Sequence, residues 1–405
     1  MLLAVSLVLL SGCGSRQNWI QFRGEQGKGA THTSLRPPLA VKWKLQLQKR
    51  AEPTYAFNNP VVLEDTIYFG STDGNIYALD IQSGYMRWVY KTNGAINSVP
   101  IADKENVYIG SNDGYVYAVD QENGELVWSF QTDSTVQSTI IRTKNSVMFV
   151  SDGGHVYAVS PETGREQYRL PNPVWYYFTF QVYDDVIYFA PGPPNRPHSM
   201  GAYDTQSKQY LWVLDTVDLD AVWYSFPAIK GDTLYFSTAD PYEDVWEFDY
   251  YAYDRKTGSL LWRYSDFSQW GNLWNVDLLE LFEKNLRLLD YMAPSLWKNL
   301  VIYTSGDTVV RALDMETGES VWTREFATYT TSAPTVAGDY VYFGLAEERT
   351  VRGGGPKLVC LSAKNGKKMW ELEIEGKILS APVIAQNWII FGTDQNYFYV
   401  LEALF

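Results

Sequence analysis

Apolar and polar positions between residues 60 and 90 fall into four short runs, each bounded by turn residues. Residues 60–62 are wholly apolar, and residues 66–70, 75–79 and 85–90 are nearly so. Runs of this length that alternate or are apolar throughout predict β-strands rather than helices. Asp73-Gly74 between the second and third runs predicts a two-residue hairpin turn, because such turns need positive φ. Asp113-Gly114 and Gly153-Gly154 recur at the same spacing, so the unit predicts two or three linking residues each time.

The unit repeats along the whole chain. One frame of a small residue, an Asp or Ser two positions later and an aromatic eight beyond that appears seven times. It reads Ala78-Asp80-Gly84-Trp88, Ala118-Asp120-Gly124-Trp128, Ala158-Ser160-Gly164-Tyr168, Ala202-Asp204-Lys208-Trp212, Ala252-Asp254-Gly258-Trp262, Ala312-Asp314-Gly318-Trp322 and Cys360-Ser362-Gly366-Trp370. An eighth copy starts at Tyr399-Val400-Leu401-Glu402 and ends before any tryptophan, while Val41-Lys42-Trp43-Lys44-Leu45 is a strand-like segment with a Trp and no motif before it. Strand-patterned repeats of this length predict a β-propeller with one four-stranded antiparallel blade per repeat. A lone blade cannot cover both its faces, so neighbours must cover each other and the last must meet the first. The fold class is all-β: an eight-bladed propeller over residues 41–405, closed by an N-terminal strand that carries Trp43.

This frame, A-x-D-x-x-x-G-x-x-x-W, resembles the tryptophan-docking motif of the quinoprotein-like (PQQ-repeat) β-propeller family. The resemblance implies that Trp43, Trp88, Trp128, Tyr168, Trp212, Trp262, Trp322 and Trp370 form a structural belt between blades, with Tyr168 departing from the pattern. Residues 18–24, Asn-Trp-Ile-Gln-Phe-Arg-Gly, are similar to a W-P-Q-F-R-G leader that precedes many such propellers, with Ile20 in place of the proline. They are expected to pack an extended segment onto the ring.

The apolar start of the chain is followed by Leu10-Ser11-Gly12-Cys13, which resembles a bacterial lipobox. That resemblance implies a signal peptide over residues 1–12, acylation of Cys13, a lipidated leader over residues 13–40 and, with Gly14 next, the periplasmic side of the outer membrane. An ordinary secretory signal is the alternative; the apolar stretch is too short to span a bilayer. The second cysteine, Cys360, takes the small-residue place in its copy and reads as buried packing.

A net charge of −14 argues against nucleic acid as a partner. Enzymes of the family hold pyrroloquinoline quinone and calcium in the central channel, usually with adjacent cysteines and a catalytic Asp. Here there is no Cys-Cys pair, no catalytic motif can be placed, and His32, His155 and His198 lack metal-ligand spacing. His155 falls in a hairpin turn, where exposure is expected. No catalytic or metal-binding residue and no cofactor is assigned.

The later repeats are elaborated. The links between second and third strands lengthen at residues 191–200, 238–248 and 346–356, and an insertion spans residues 265–292, where Leu278, Leu281, Leu288 and Met292 at helical spacing predict an amphipathic helix. Strand alternation puts these segments on one face of the ring. Tyr176, Tyr177, Trp223, Tyr224, Trp270, Trp274 and Tyr291 are the candidate binding residues there, since aromatics clustered on one face point to recognition. Cover for the rim of its own blade is the plainer role for the helix. The reading is a non-catalytic, lipid-anchored binding scaffold with a protein partner. Within the family it resembles the branch that serves outer-membrane β-barrel assembly. The alternative is a quinone- or carbohydrate-binding propeller related to the dehydrogenases.

Overall fold

The computed structural model describes residues 18–46, 59–171, 180–189, 200–214, 223–242, 245–268, 293–347 and 354–404. These form eight antiparallel sheets. Blade one runs from the innermost strand Val61–Leu63 through Thr66–Gly70 and Asn75–Asp80 to the outermost strand Met86–Lys91. Its inner three strands are apolar and almost wholly buried because blades sandwich them. The outermost strand buries only alternate positions, as an edge facing water on one side should.

Blade eight joins the two parts of the chain. Leu39–Gln46 lies antiparallel to Tyr397–Ala403, with Trp43 opposite Val400. The ring therefore closes through hydrogen bonds between segments about as far apart in sequence as the chain allows. Blade seven gains a fifth strand, Ala30–Thr31, laid parallel to its innermost strand Thr335–Ala337.

Two expectations about links need correction. In blade one the link between second and third strands is residues 71–74, four rather than two or three. Gly74 N–H bonds Ser71 O at 2.9 Å, but Ser71 O also accepts from Ile96 N–H at 3.0 Å, in the segment that enters blade two. The extra residues are spent on holding the next blade. In blade five, residues 238–248 are no open loop. The second and third strands run Thr233–Tyr242 and Val245–Asp254, paired in unbroken register as far as Tyr242 opposite Val245. Polar Thr238, Asp240 and Glu247 hide the alternation from a reading of the sequence, while Ala239, Phe248 and Tyr250 point inward and are buried.

The seams repeat one contact. Trp88 of blade one donates its indole N–H to Gln121 O of blade two at 3.1 Å, and a Cβ on Gly124 would lie 2.6 Å from the indole. Trp43, Trp128, Trp212, Trp262 and Trp322 reach Ile81 O, Pro161 O, Arg255 O, Met315 O and Ala363 O at 2.7 to 3.0 Å. Each acceptor is the residue after the motif Asp or Ser. That Asp shapes the turn: Asp80 Oδ1 accepts from Gln82 N–H at 3.1 Å and Ser83 N–H at 2.9 Å. Tyr168 instead packs against the cluster of blades three and four that holds Ile187 and Phe189. Trp370 packs with Tyr399 and Leu401 of blade eight, and Cys360 is fully buried in the same cluster.

Candidate functional site: the projecting blade and the closed channel

Strand direction sorts the molecule into two faces. Lys230, at the end of blade five's innermost strand Ala228–Lys230, lies on the face that carries the leader. From there the second strand runs ten residues to Tyr242, roughly 30 Å at a rise of about 3.3 Å per residue, so the hairpin tip stands off the opposite face. The outermost strand, Leu260–Phe267, follows it outward. Tyr242 and Phe267 are 52% and 43% exposed and meet with their ring centres 5.5 Å apart at a tilt of 49°, with half-buried Trp246 bonded across to Ser268.

Ionic contacts stiffen this projection. Arg311 of blade six is wholly buried and bonds Asp307 at 2.8 and 3.1 Å, Asp266 at 2.7 Å and Phe267 O at 3.3 Å. It thereby fastens the extended strand to its neighbour. On the strand itself, Asp249 accepts from Arg263 at 2.6 Å and from Ser265 at 2.5 Å. An exposed aromatic pair held on a clamped sheet is suited to contact rather than to catalysis.

Of the candidate binding residues, Tyr224 is corrected. It pairs opposite Thr238 and is fully buried in the cluster with Phe236 and Tyr251. Two extra residues, Trp223–Tyr224, extend blade five's sheet where an exposed approach segment was expected. Tyr176, Tyr177, Trp270, Trp274, Tyr291 and the helix inside residues 265–292 lie outside the described residues, as do Cys13 and most of the links at 191–200 and 346–356.

Among the described residues, one cluster resembles hydrolytic machinery and does not carry it. His155 opens the third strand of blade three, half-exposed, with Nδ1 2.6 Å from Asp133 Oδ2, and Ser151 Oγ donates to Asp133 Oδ1 at 2.5 Å. Ser and His both bond the carboxylate and not each other, so no base faces the hydroxyl. Burial opposes the charge on Asp133, but hydrogen bonds from Ser151, His155 and Tyr157 prevail and hold it below the ordinary carboxylate value. Asp394 shows the reverse, raised by burial despite Lys377 nearby.

The leader crosses the other face and enters the channel. Phe22 packs with Phe226, Ala293, Ala333 and Ala381, and Val99 joins them. These residues precede the innermost strands of blades five, six, seven, eight and two. A cluster to which five blades contribute lies at the ring axis, and Phe22 is part of it. Phe22 meets Phe226 edge-on at 4.8 Å and 87°. Arg23, 1% exposed, donates to Pro294 O at 2.6 Å, Pro334 O at 2.7 Å and Ser295 Oγ at 3.1 Å, tying blades six and seven. Sequence reading gave these two residues only a share in packing the leader onto the ring. The signal was present in Val99-Pro100, Phe226-Pro227, Ala293-Pro294, Ala333-Pro334 and Ala381-Pro382, which mark one level of the ring.

A quinone with calcium fits this arrangement poorly. The channel axis is filled by Phe22, and Arg23, the cation at that level, already serves backbone carbonyls. Among the described residues no group of three His, Cys, Asp or Glu side chains is placed to hold a metal ion.

The sequence family described as "Outer membrane protein assembly factor BamB" matches residues 40–264, 112–343 and 306–404, which together take in almost the whole propeller. The chain belongs to that family. No curated protein sequence matches it. BamB from Moraxella catarrhalis is similar in fold, with 14% identity and a TM-score of 0.64 over 90% of this chain and 100% of that one. So is quinohemoprotein alcohol dehydrogenase ADHIIG from Pseudomonas putida HK5, with 15% identity and 0.67 over 95% and 80%. The computationally designed Ika8 protein reaches 0.64 at 13% identity over 91% and 99%. At such identity the likeness is one of fold, shared by an enzyme and a designed protein alike. Membership of the BamB family points to the bacterial cell envelope, and no described helix is long and apolar enough to cross a membrane.

Proposed function

We propose that this BamB-family propeller is a non-catalytic scaffold, held to the outer membrane through acylated Cys13, that docks a protein of the β-barrel assembly machinery on the face from which blade five projects. The carrying observation is the exposed Tyr242–Phe267 pair on a strand extension clamped by Arg311. The plugged channel supports the same reading, since it leaves the axis at the leader end to Phe22 rather than to a ligand. The leader meets the ring at Trp19, six residues after Cys13, on the face opposite the projecting blade.

The test is co-purification of the barrel-inserting subunit from the same cells with the parent and with the Tyr242→Ser/Phe267→Ser variant. Loss of about tenfold or more in recovered partner at an unchanged melting temperature is expected, because exposed interface aromatics carry binding but little folding energy. Equal recovery would remove blade five from the interface. Bound quinone in the purified protein would turn the reading toward a dehydrogenase relative.

A further inference from the structure

On the leader face, between the leader and the turns of blades one, two, five, six and seven, lies a cavity of about 870 Å³. That is within the usual range of small-molecule sites, roughly 300 to 1,000 Å³. Its walls are largely apolar, with Ile20, Leu63, Trp297 and Val336 among them, and Lys28 and Lys230 both open into it. Lys104 and Lys298 line it too, so in a chain of net charge −14 four ammonium groups around one cavity, with Lys298 paired to Asp339, call for an explanation.

The carboxylates on the same walls do not supply it. Asp339 is bonded to Lys298 at 3.0 Å. Asp103 is occupied by Asn106 N–H at 2.9 Å, Tyr108 Oη at 3.0 Å and Arg142 at 3.2 Å. Lys230 Nζ rests on the carbonyl of Lys298 and on Met315 Sδ at 3.4 Å, not on an acid. Glu25, the third acid of the lining, is bonded to neither Lys28 nor Lys230.

We infer that this cavity binds an amphipathic anion, a carboxylate or phosphate monoester with a short apolar body, its head between Lys28 and Lys230 and its body against Ile20, Leu63 and Trp297. Burial, and after it the neighbouring charge of Lys28, holds the Lys230 ammonium below its ordinary value, the electrostatic cost that an anion between the two would relieve. The site is on the face opposite the projecting blade, so it stands or falls independently of the scaffold reading.

The experiment titrates the full mature chain with octanoate, octyl phosphate, octanol and inorganic phosphate, followed by calorimetry and by tryptophan fluorescence. Saturable one-to-one binding of octanoate and octyl phosphate is expected, with octanol and inorganic phosphate each weaker by about tenfold or more, since charge-assisted hydrogen bonds and apolar burial each contribute on that scale. The Lys28→Gln/Lys230→Gln variant should lose about tenfold in octanoate affinity and keep its octanol affinity. Lys230 also bonds Lys298 O and Met315 Sδ across the seam between blades five and six, so Lys28→Gln alone, which leaves that contact in place, is the second variant and should weaken octanoate binding at an unchanged melting temperature. Absence of saturable octanoate binding, equal binding of octanol, or an unchanged affinity in the double variant would each overturn the site.

Discussion

Trp128 of blade two donates its indole N–H to the carbonyl of Pro161 in blade three at 2.7 Å, and its ring lies where any side chain on Gly164 would have to go, 2.7 Å from a Cβ. Trp128→Ala should cost about 3 to 5 kcal/mol in urea denaturation, as deletion of a buried large aromatic does. Phe should be better tolerated, though it forfeits the hydrogen bond. A loss below about 1 kcal/mol would show the indole to be dispensable.

The seam between blades three and four departs at both partners: Tyr168 stands for Trp, and Lys208 stands for Gly at φ +58°. Tyr168→Trp alone should be neutral or destabilising, because the Lys208 Cβ occupies the place an indole would take. Combined with Lys208→Gly it should stabilise, and the double-mutant cycle should show a coupling of about 1 kcal/mol or more. Additive effects would mean that the two positions do not meet.

The leader should contribute to the stability of blades six and seven in particular. Gly29 has φ +59°, and a Cβ there would come within 2.2 Å of the Arg23 guanidinium. Gly29→Ala and Phe22→Ala should each cost about 2 to 5 kcal/mol. Hydrogen exchange should show faster opening of residues 295–304 and 335–345 than of blade three. Uniform exchange across the ring would contradict this.

Arg311→Leu leaves Asp307, itself wholly buried, without its cation. A loss of about 3 to 5 kcal/mol is expected, and the Arg311→Leu/Asp307→Leu pair should recover much of it, since a buried ion pair is costly mainly when half of it is removed.

Acid should weaken the ring through the motif aspartates. Burial opposes the charge on Asp80, but the Arg87 guanidinium at 2.6 Å and the Ser83 hydroxyl and N–H hold it down to about 2. Backbone N–H groups of the following turns likewise lower Asp204, Asp254 and Asp314. Carboxylates lowered in the folded state add stability that is complete above their unfolded value and lost as pH falls toward the folded one. The melting temperature should therefore hold above about pH 5 and fall between about pH 4 and 2. In Asp80→Asn the fall should be shallower. Asp394, raised by burial, works the other way but is one group against four.

The blades were legible because Asp, Gly and Trp at fixed spacing each answer a local demand: turn capping, positive φ and a flat face against the next blade. Blade closure by Trp43 followed from the same frame. Less was legible where the demand is not local. Phe22 and Arg23 look like surface leader residues until five blades converge on them, and the ten-residue strands of blade five look like a loop because polar Thr238, Asp240, Glu247 and Asp249 interrupt the apolar run, although Thr238 and Asp249 are buried. Tyr224 reads as exposed for the opposite reason: nothing in its neighbours announces that Thr238 lies beside it.

Blade eight has a consequence for how the chain is made. Residues 39–46 leave the ribosome early, yet their hydrogen-bonding partners at 397–403 come hundreds of residues later. Until then blades one and eight present raw edges, and the axis has no wall for Phe22 to press against. Synthesis must deliver nearly the entire polypeptide before the circle can lock, so a truncated product has no latch and stays open to proteolysis. The join between the two distant segments thus serves as a checkpoint on completeness, passed only by chains that carry both halves.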